Sequence, residues 1–226
     1  MDKHHSQHKP PANSHGYNCL EIITRLKTIY PQVKGRLFWQ TPWELLVATI
    51  LAAQCTDIRV NQVTPIFFKN WPDVFKLAQA KQEEVEKVIR STGFYHNKAK
   101  HLIAAAQKIV NEYQGQVPSN MDNLLSLPGV ARKTANIILA NAFDINQGIA
   151  VDTHVKRLSY RLGLTQATTP NRIEQDLMLI IPKTSWGEIN HLLVWFGRDT
   201  CRARHPLCQQ CLLNDLCPQK GVKNTA

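Results

Sequence analysis

From about Tyr17 onward, apolar residues recur at intervals of three and four, the spacing that lays them along one face of a helix. "CLEIITRLKTIY" (19–30) shows the period first, and Pro31 stops it. "TPWELLVATILAAQ" (41–54) opens with Thr41 as N-cap, Pro42 at the first helical position and Glu44 three residues after the cap, a capping box. Thr56 is placed to cap "DIRVNQVTPIFFKN". Pro65 is expected to bend or break that helix, because it has no N–H and its ring crowds the preceding turn. Short helices fit "PDVFKLAQA" and "KQEEVEKVIR", and a long one fits "NKAKHLIAAAQKIVNEYQG" with Gly115 as its stop. "MDNLLSL" and "RKTANIILANAF" form a pair joined by a tight turn, and further helices fit 152–162, 171–181 and 184–196. Strand-like alternation is nearly absent. The predicted fold class is all-α.

Residues 1–16, "MDKHHSQHKPPANSHG", fall outside the periodic pattern and are expected to be a disordered tail. The 226 residues suit one large or two small domains, and 43% apolar content excludes a disordered chain. The richest apolar run, "VATILAA" (47–53), is far too short to span a bilayer, and the polar start lacks the apolar segment of a secretory signal. A cytoplasmic location and no membrane partner are therefore expected. The net charge of +10 favours a polyanionic partner, nucleic acid being the simplest.

Four of the six cysteines crowd the C-terminal end. Cys201, Cys208, Cys211 and Cys217 are spaced C-x6-C-x2-C-x5-C. In a cytosolic chain such a cluster reads as a metal site before it reads as disulfides. Tetrahedral zinc and a [4Fe–4S] cluster both take four thiolates, although structural zinc sites more often use two close pairs and only Cys208 and Cys211 form one here. Cys19 and Cys55 fall in apolar helical patterns and are expected in or near the core.

"LPGVARKTAN" (127–136) is the turn between the paired helices. Gly129 gives the backbone freedom to end the first helix, and the second then points its free N–H groups outward, where a phosphate oxygen can bind. Lys133 stands in the first turn of that second helix, a place that repels cations.

These segments resemble a known family. "LPGVARKTAN…IAVDTHVKRL" resembles the helix-hairpin-helix motif and following aspartate loop of the base-excision DNA glycosylase superfamily. "LLVATILAAQCTD", "STGFYHNKAKHL", "GQVPSNMDNLLSLPGVARKTANIIL", "AVDTHVKRLSYRLGL" and the terminal cysteines resemble its endonuclease III branch, in the same order, over roughly residues 17–217. The resemblance implies a two-lobed protein. A helical barrel of about 35–146 would carry the hairpin at about 121–143, and a discontinuous lobe of 17–34 plus 147–226 would carry the cluster loop (201–217). It implies Lys133 as nucleophile, Asp152 as its carboxylate partner, and the four cysteines as ligands of [4Fe–4S].

The chemistry is coherent. A neutral amine can attack the anomeric carbon of a damaged nucleoside, and a carboxylate can stabilise the cationic transition state. An exposed lysine at the reference pKa of about 10.4 is almost wholly charged at pH 7, so desolvation beneath the substrate is the expected remedy.

Adenine-mismatch enzymes of the superfamily lack the lysine and use a glutamate at the position that Thr49 matches, and they carry a further C-terminal domain for which no room is expected here. The implied function is removal of oxidised pyrimidines from duplex DNA with AP-lyase cleavage. A thymine/uracil mismatch glycosylase and a non-catalytic damage-sensing DNA-binding protein are the alternatives. The implied partner is duplex DNA with a flipped base, bound by a monomer. Gln54 matches the family's plug for the vacated space, and Phe94 stands in its wedge loop, where an aliphatic residue is common. Gly129, Ala131, Arg132, His154, Arg202 and Arg204 complete the expected DNA contacts. The family usually writes "PGVG" where this chain has Ala131, which is tolerable if Ala131 keeps a helical, negative φ.

Overall fold

The computed structural model describes residues 14–222. All their regular elements are helical: α1 (Ser14–Ile29), α2 (Pro42–Leu51), α3 (Asp57–Asn70), α4 (Val74–Ala78), α5 (Gln82–Ile89), α6 (Tyr95–Tyr113), α7 (Met121–Leu125), α8 (Arg132–Ala142), α9 (Thr153–Arg161), α10 (Pro170–Ile180) and α11 (Trp186–Asp199), with 3-10 turns at Arg90–Thr92, Lys183–Ser185 and Cys208–Gln210. The all-α expectation holds for these residues. Helix α1 begins at Ser14, three residues inside the expected tail, and the rest of that tail (1–13) lies outside the described residues.

Side-chain caps start α2 at Thr41 and α3 at Thr56, as the sequence predicts. Thr41 Oγ1 accepts the Glu44 N–H at 3.2 Å, while Glu44 Oε2 reaches back to the Gln40 N–H at 2.7 Å. Thr56, Asp73 and Asn120 cap α3, α4 and α7 in the same way. Helix α6 ends through Gln114, at φ 55°, ahead of Gly115. One expectation is corrected in part: α3 runs through Pro65 without a break. Val60, Val63 and Phe67 are buried on both sides of the proline, and that packing offsets the one lost hydrogen bond.

Two separate apolar cores result. The first gathers Trp43, Leu46, Leu51, Phe67, Ile89, Leu102, Ile109, Ile138 and their neighbours from α2 through α8. The second joins Cys19, Ile22 and Leu26 of α1 to Val155, Leu158, Ile173, Leu193 and Phe196. Burial pushes the Cys19 thiol up to about 11, so it behaves as a small apolar side chain. Half-buried Cys55 packs against the first core.

Polar bonds join the two halves at the helices that carry the expected chemistry. Glu174 of α10, 4% exposed, accepts from Arg132 Nε at 2.6 Å and Asn136 Nδ2 at 2.9 Å, both on α8. Asn141 of α8 meets His191 of α11 at 2.9 Å, and Arg198 of α11 pairs with Asp57 of α3 at 2.8 Å. Among the described residues no helix is long and apolar enough to cross a membrane.

Candidate active site and cluster loop

The hairpin turn is built around Gly129, at φ 81°. A Cβ there would stand 2.9 Å from His101 Cβ, so the site needs glycine for both its backbone sign and its closeness to α6. Ala131 has φ −96° and ψ 168°. The sign is the negative one expected, but the conformation is extended and not helical: Ala131 is the N-cap of α8. An alanine cap offers no side-chain acceptor, which leaves the first N–H groups of α8 for an acceptor from outside. Lys133 is exposed in this first turn.

Helix α9 starts differently. Asp152 caps it, with Oδ1 accepting the Val155 N–H at 2.8 Å. Oδ2 takes no hydrogen bond from the described residues. His154, one turn-step on, senses both groups. Burial pushes its pKa below the usual histidine value, the Asp152 charge raises it, and Arg157, Arg198 and Lys133 lower it further. Lys133 and Asp152 thus act on one neighbourhood although 19 residues separate them in sequence. Gly197 of α11 makes room for that neighbourhood: a Cβ there would lie 2.7 Å from His154 Nδ1 and 2.9 Å from Arg157 Nη2.

The remaining expected contacts fall as follows. Gln54 and Phe94 are both exposed, Phe94 by 62%, and both hold left-handed backbone at φ 53° and 49°. Phe94 is not a core aromatic. The Arg132 guanidinium is raised above its ordinary pKa by its bond to Glu174, so its Nε is committed to tying α8 to α10 and is not free for a phosphate. Arg202 and Arg204 are exposed, and Arg202 Nε donates to the Asp199 carbonyl at 3.0 Å. Thr49 is buried, its hydroxyl donating to Leu45 O at 2.7 Å within its own helix.

Cys201, Cys208, Cys211 and Cys217 line one cavity beside Leu162, Phe196 and Leu207. Among the described residues no three Cys, His, Asp or Glu side chains close tightly enough around one point for a single metal ion. A zinc ion requires its sulfurs about 2.3 Å from one centre. Four thiols lining one cavity supply the all-sulfur donor set that a [4Fe–4S] cluster takes. Burial, with smaller contributions from the neighbouring thiols, pushes Cys211 and Cys217 up. The Leu213 and Gln219 N–H groups, each 3.4 Å from a sulfur, favour their thiolates. A bound cation would offset that burial cost at Cys211 and Cys217.

Two arginines of α9, absent from the expected set, hold this loop. Arg161, 7% exposed, donates to Arg202 O at 2.7 Å and Ala203 O at 3.0 Å, and touches Cys201 Sγ at 3.5 Å. Arg157 donates to Gly197 O and Cys201 O. The cluster loop is therefore anchored to the helix that Asp152 begins. Arg161, Glu174 and Lys98 share a signal in the sequence: each charge sits beside or on the apolar stripe of its helix.

Comparison with known proteins shows the family. Residues 47–183 match the family described as HhH-GPD superfamily base excision DNA repair protein, and residues 201–217 match the iron–sulfur binding domain of endonuclease III. The chain is 56% identical over 198 residues to endonuclease III of Synechocystis, covering 88% of this chain and 90% of that one. It is 40% identical to the Bacillus subtilis endonuclease III, covering 91% and 92%. A solved structure described as a non-covalent endonuclease III–DNA complex superposes with a TM-score of 0.86 at 38% identity, covering 90% of this chain and 95% of that one. One of a trapped endonuclease III–DNA covalent intermediate gives the same TM-score and identity. A thermostable thymine-DNA glycosylase, at 21% identity and TM-score 0.83, shares the fold. The chain belongs to the endonuclease III family of the HhH-GPD base-excision DNA repair superfamily.

Proposed function

We propose that the chain is a base-excision repair enzyme that removes oxidised pyrimidines from duplex DNA as a bifunctional glycosylase and AP lyase. The carrying observation is the 56% identity to endonuclease III over 88% of the chain, with Lys133 at the uncapped start of α8 and Asp152 at the start of α9 to serve as amine and carboxylate. A bifunctional glycosylase and lyase needs both an amine and a carboxylate beside one flipped sugar.

In the reaction proposed, neutral Lys133 Nζ bonds to C1′ as the glycosidic C–N bond breaks and the base leaves with its electron pair, taking up a proton. The free oxygen of Asp152 faces the developing positive charge and accepts the proton lost by the amine. The C1′–O4′ bond then breaks, with O4′ taking the proton held by Asp152, and this ring opening leaves a protonated Schiff base between Lys133 and C1′ that acidifies C2′. Removal of a C2′ proton then expels the 3′ phosphate with the C3′–O bond, and water releases the lysine.

The free N–H groups after Ala131 hold one backbone phosphate of the strand. Gln54 fills the space left by the flipped base, and Phe94 wedges the opposite side. Arg204 and the outward face of Arg202 contact the backbone, and His154 lines the strand. A [4Fe–4S] cluster held by the four cysteines supplies a fold-fixing cross-link at the loop between Cys201 and Cys217. We read the two apolar cores as lobes of about 35–146 and 17–34 plus 147–226, with the DNA between them and the protein acting as a monomer in the cytoplasm.

Borohydride trapping on an abasic duplex tests the lyase step. Wild type should give a covalent adduct and Lys133→Ala none; an undiminished adduct with Lys133→Ala would sink the mechanism. A panel of duplexes carrying oxidised pyrimidine, T·G, U·G and abasic sites tests the specificity. Faster release from T·G than from oxidised pyrimidine would move the chain to the mismatch class.

A further inference from the structure

Lys98 is a lysine whose amine ends inside the protein. It stands in the first turn of α6, only 5% exposed, and its Nζ donates to Leu51 O and to Thr92 O, each at 2.8 Å. Both acceptors are helix-end carbonyls. Leu51 closes α2, where the following turn uses the carbonyls of Ala48, Ile50 and Ala52 and passes over Leu51. Thr92 closes the 3-10 turn, where the next backbone bond goes to Arg90 O. A buried carbonyl without a partner is costly, and here one ammonium satisfies two of them. Burial pushes the amine's pKa down, and the two carbonyls supply the acceptors that solvent would have given.

The residues just beyond these two carbonyls give the contact its meaning. Gln54 comes three residues after Leu51, and Phe94 two after Thr92. Both are non-glycine residues in the left-handed region, at φ 53° and 49°, and both side chains are exposed. Such a backbone is unfavourable for a residue with a Cβ and persists only where the surroundings impose it. The two carbonyls meeting one nitrogen lie no more than twice the hydrogen-bond length apart. The two strained tips therefore spring from a common point, although 40 residues separate them in sequence.

We propose that Lys98 is a positioning residue that fixes the separation and aim of Gln54 and Phe94, so that the two enter the duplex as one tool when the base is flipped. This rests on the insertion roles given to Gln54 and Phe94 above. Lys98 itself touches no reacting atom; it acts through the two carbonyls.

The test compares substrates that do and do not need insertion. Single-turnover excision of an oxidised pyrimidine from a duplex requires extrusion of the base, whereas borohydride trapping on a single-stranded abasic oligonucleotide does not. Lys98→Met keeps the apolar stem and loses every donor. It should slow duplex excision about tenfold or more, leave single-strand trapping within about twofold, and blunt the fluorescence rise of 2-aminopurine placed beside the lesion. Lys98→Arg, with donors for both carbonyls, should recover most of the duplex rate. Equal losses on both substrates, or wild-type rates on both, would overturn the proposal. If Lys98→Met fails to fold by helical signal and iron content, Lys98→Gln, which reaches one carbonyl, is judged by the same ratio. Gln54→Ala and Phe94→Ala check the underlying roles. Should they lose duplex excision while the Lys98 variants do not, the tie falls and the insertion roles stand. Should neither lose it, both fall together.

Discussion

Asp152 caps α9 through one carboxylate oxygen, the proposed mechanism gives the other to the sugar, and a single substitution can separate the two uses. Asparagine caps a helix about as well as aspartate, within a few tenths of a kcal/mol. Asp152→Asn should therefore leave the thermal midpoint nearly unchanged while lowering single-turnover excision by about 10²-fold or more, because a neutral amide neither stabilises the cation nor accepts the proton. A large loss of stability would assign Asp152 to structure first. Gly129→Ala is expected to do the reverse. The left-handed backbone and the His101 contact together should cost about 1–3 kcal/mol in urea unfolding. At this scale the places of Lys133 in the first turn of α8, Asp152 at the cap of α9 and Gly129 in the turn were legible because short motifs carry them. Lys98 was not, although it lies four residues before Leu102 on the apolar face of α6, where an unpaired charge would be untenable. The phase of a charge along a helix was the available signal. Its partners, the carbonyls of Leu51 and Thr92, carry no sequence signature, since every residue has a carbonyl.

The elements were legible from periodicity and caps, because both are local. The joints between them were not. Glu174 meets Arg132 across 42 residues, and His191 meets Asn141 across 50. Such pairs depend on how the two cores are brought together. Arg132→Ala would leave the Glu174 carboxylate buried with Asn136 as its remaining partner. Because the guanidinium is 40% exposed, the loss should lie near or below the lower end of the range for broken buried pairs, about 2–3 kcal/mol by urea unfolding. The α8–α11 joint adds a pH dependence. Burial holds His191 below the ordinary histidine pKa despite the opposing charges of Asp152 and Glu188. The unfolded chain then binds the proton more readily than the native one. Native stability is complete above the unfolded value of about 6.5 and falls as pH drops below it toward the folded value. His191→Gln should flatten the decline in urea midpoint between about pH 7.5 and 5.5. An equal decline in the variant would place the acid sensitivity elsewhere.

For the molecule as a whole, charge and architecture must agree about where DNA lies. The net charge of +10 predicted a polyanionic partner but no location for it. The ion pairs narrow the choice, since Arg25, Arg132, Arg172 and Arg198 are each taken up by a carboxylate within 3.1 Å. Arg204 is exposed on the loop that Arg161 pins through the Ala203 and Arg202 carbonyls, so its backbone is fixed while its side chain remains free to meet a phosphate. A contact of this kind has a distinct signature. Each neutralised phosphate of duplex DNA contributes about −0.9 to the slope of log K against log salt. Arg204→Ala should make that slope shallower by about 0.9 and weaken binding to damaged and undamaged duplex by the same factor, since a phosphate carries no lesion information. Phe94→Ala should do the opposite, keeping the slope and losing only the preference for damaged DNA. An Arg204→Ala slope equal to wild type would mean that the loop faces solvent, and the bound strand would then have to be held at the start of α8 alone.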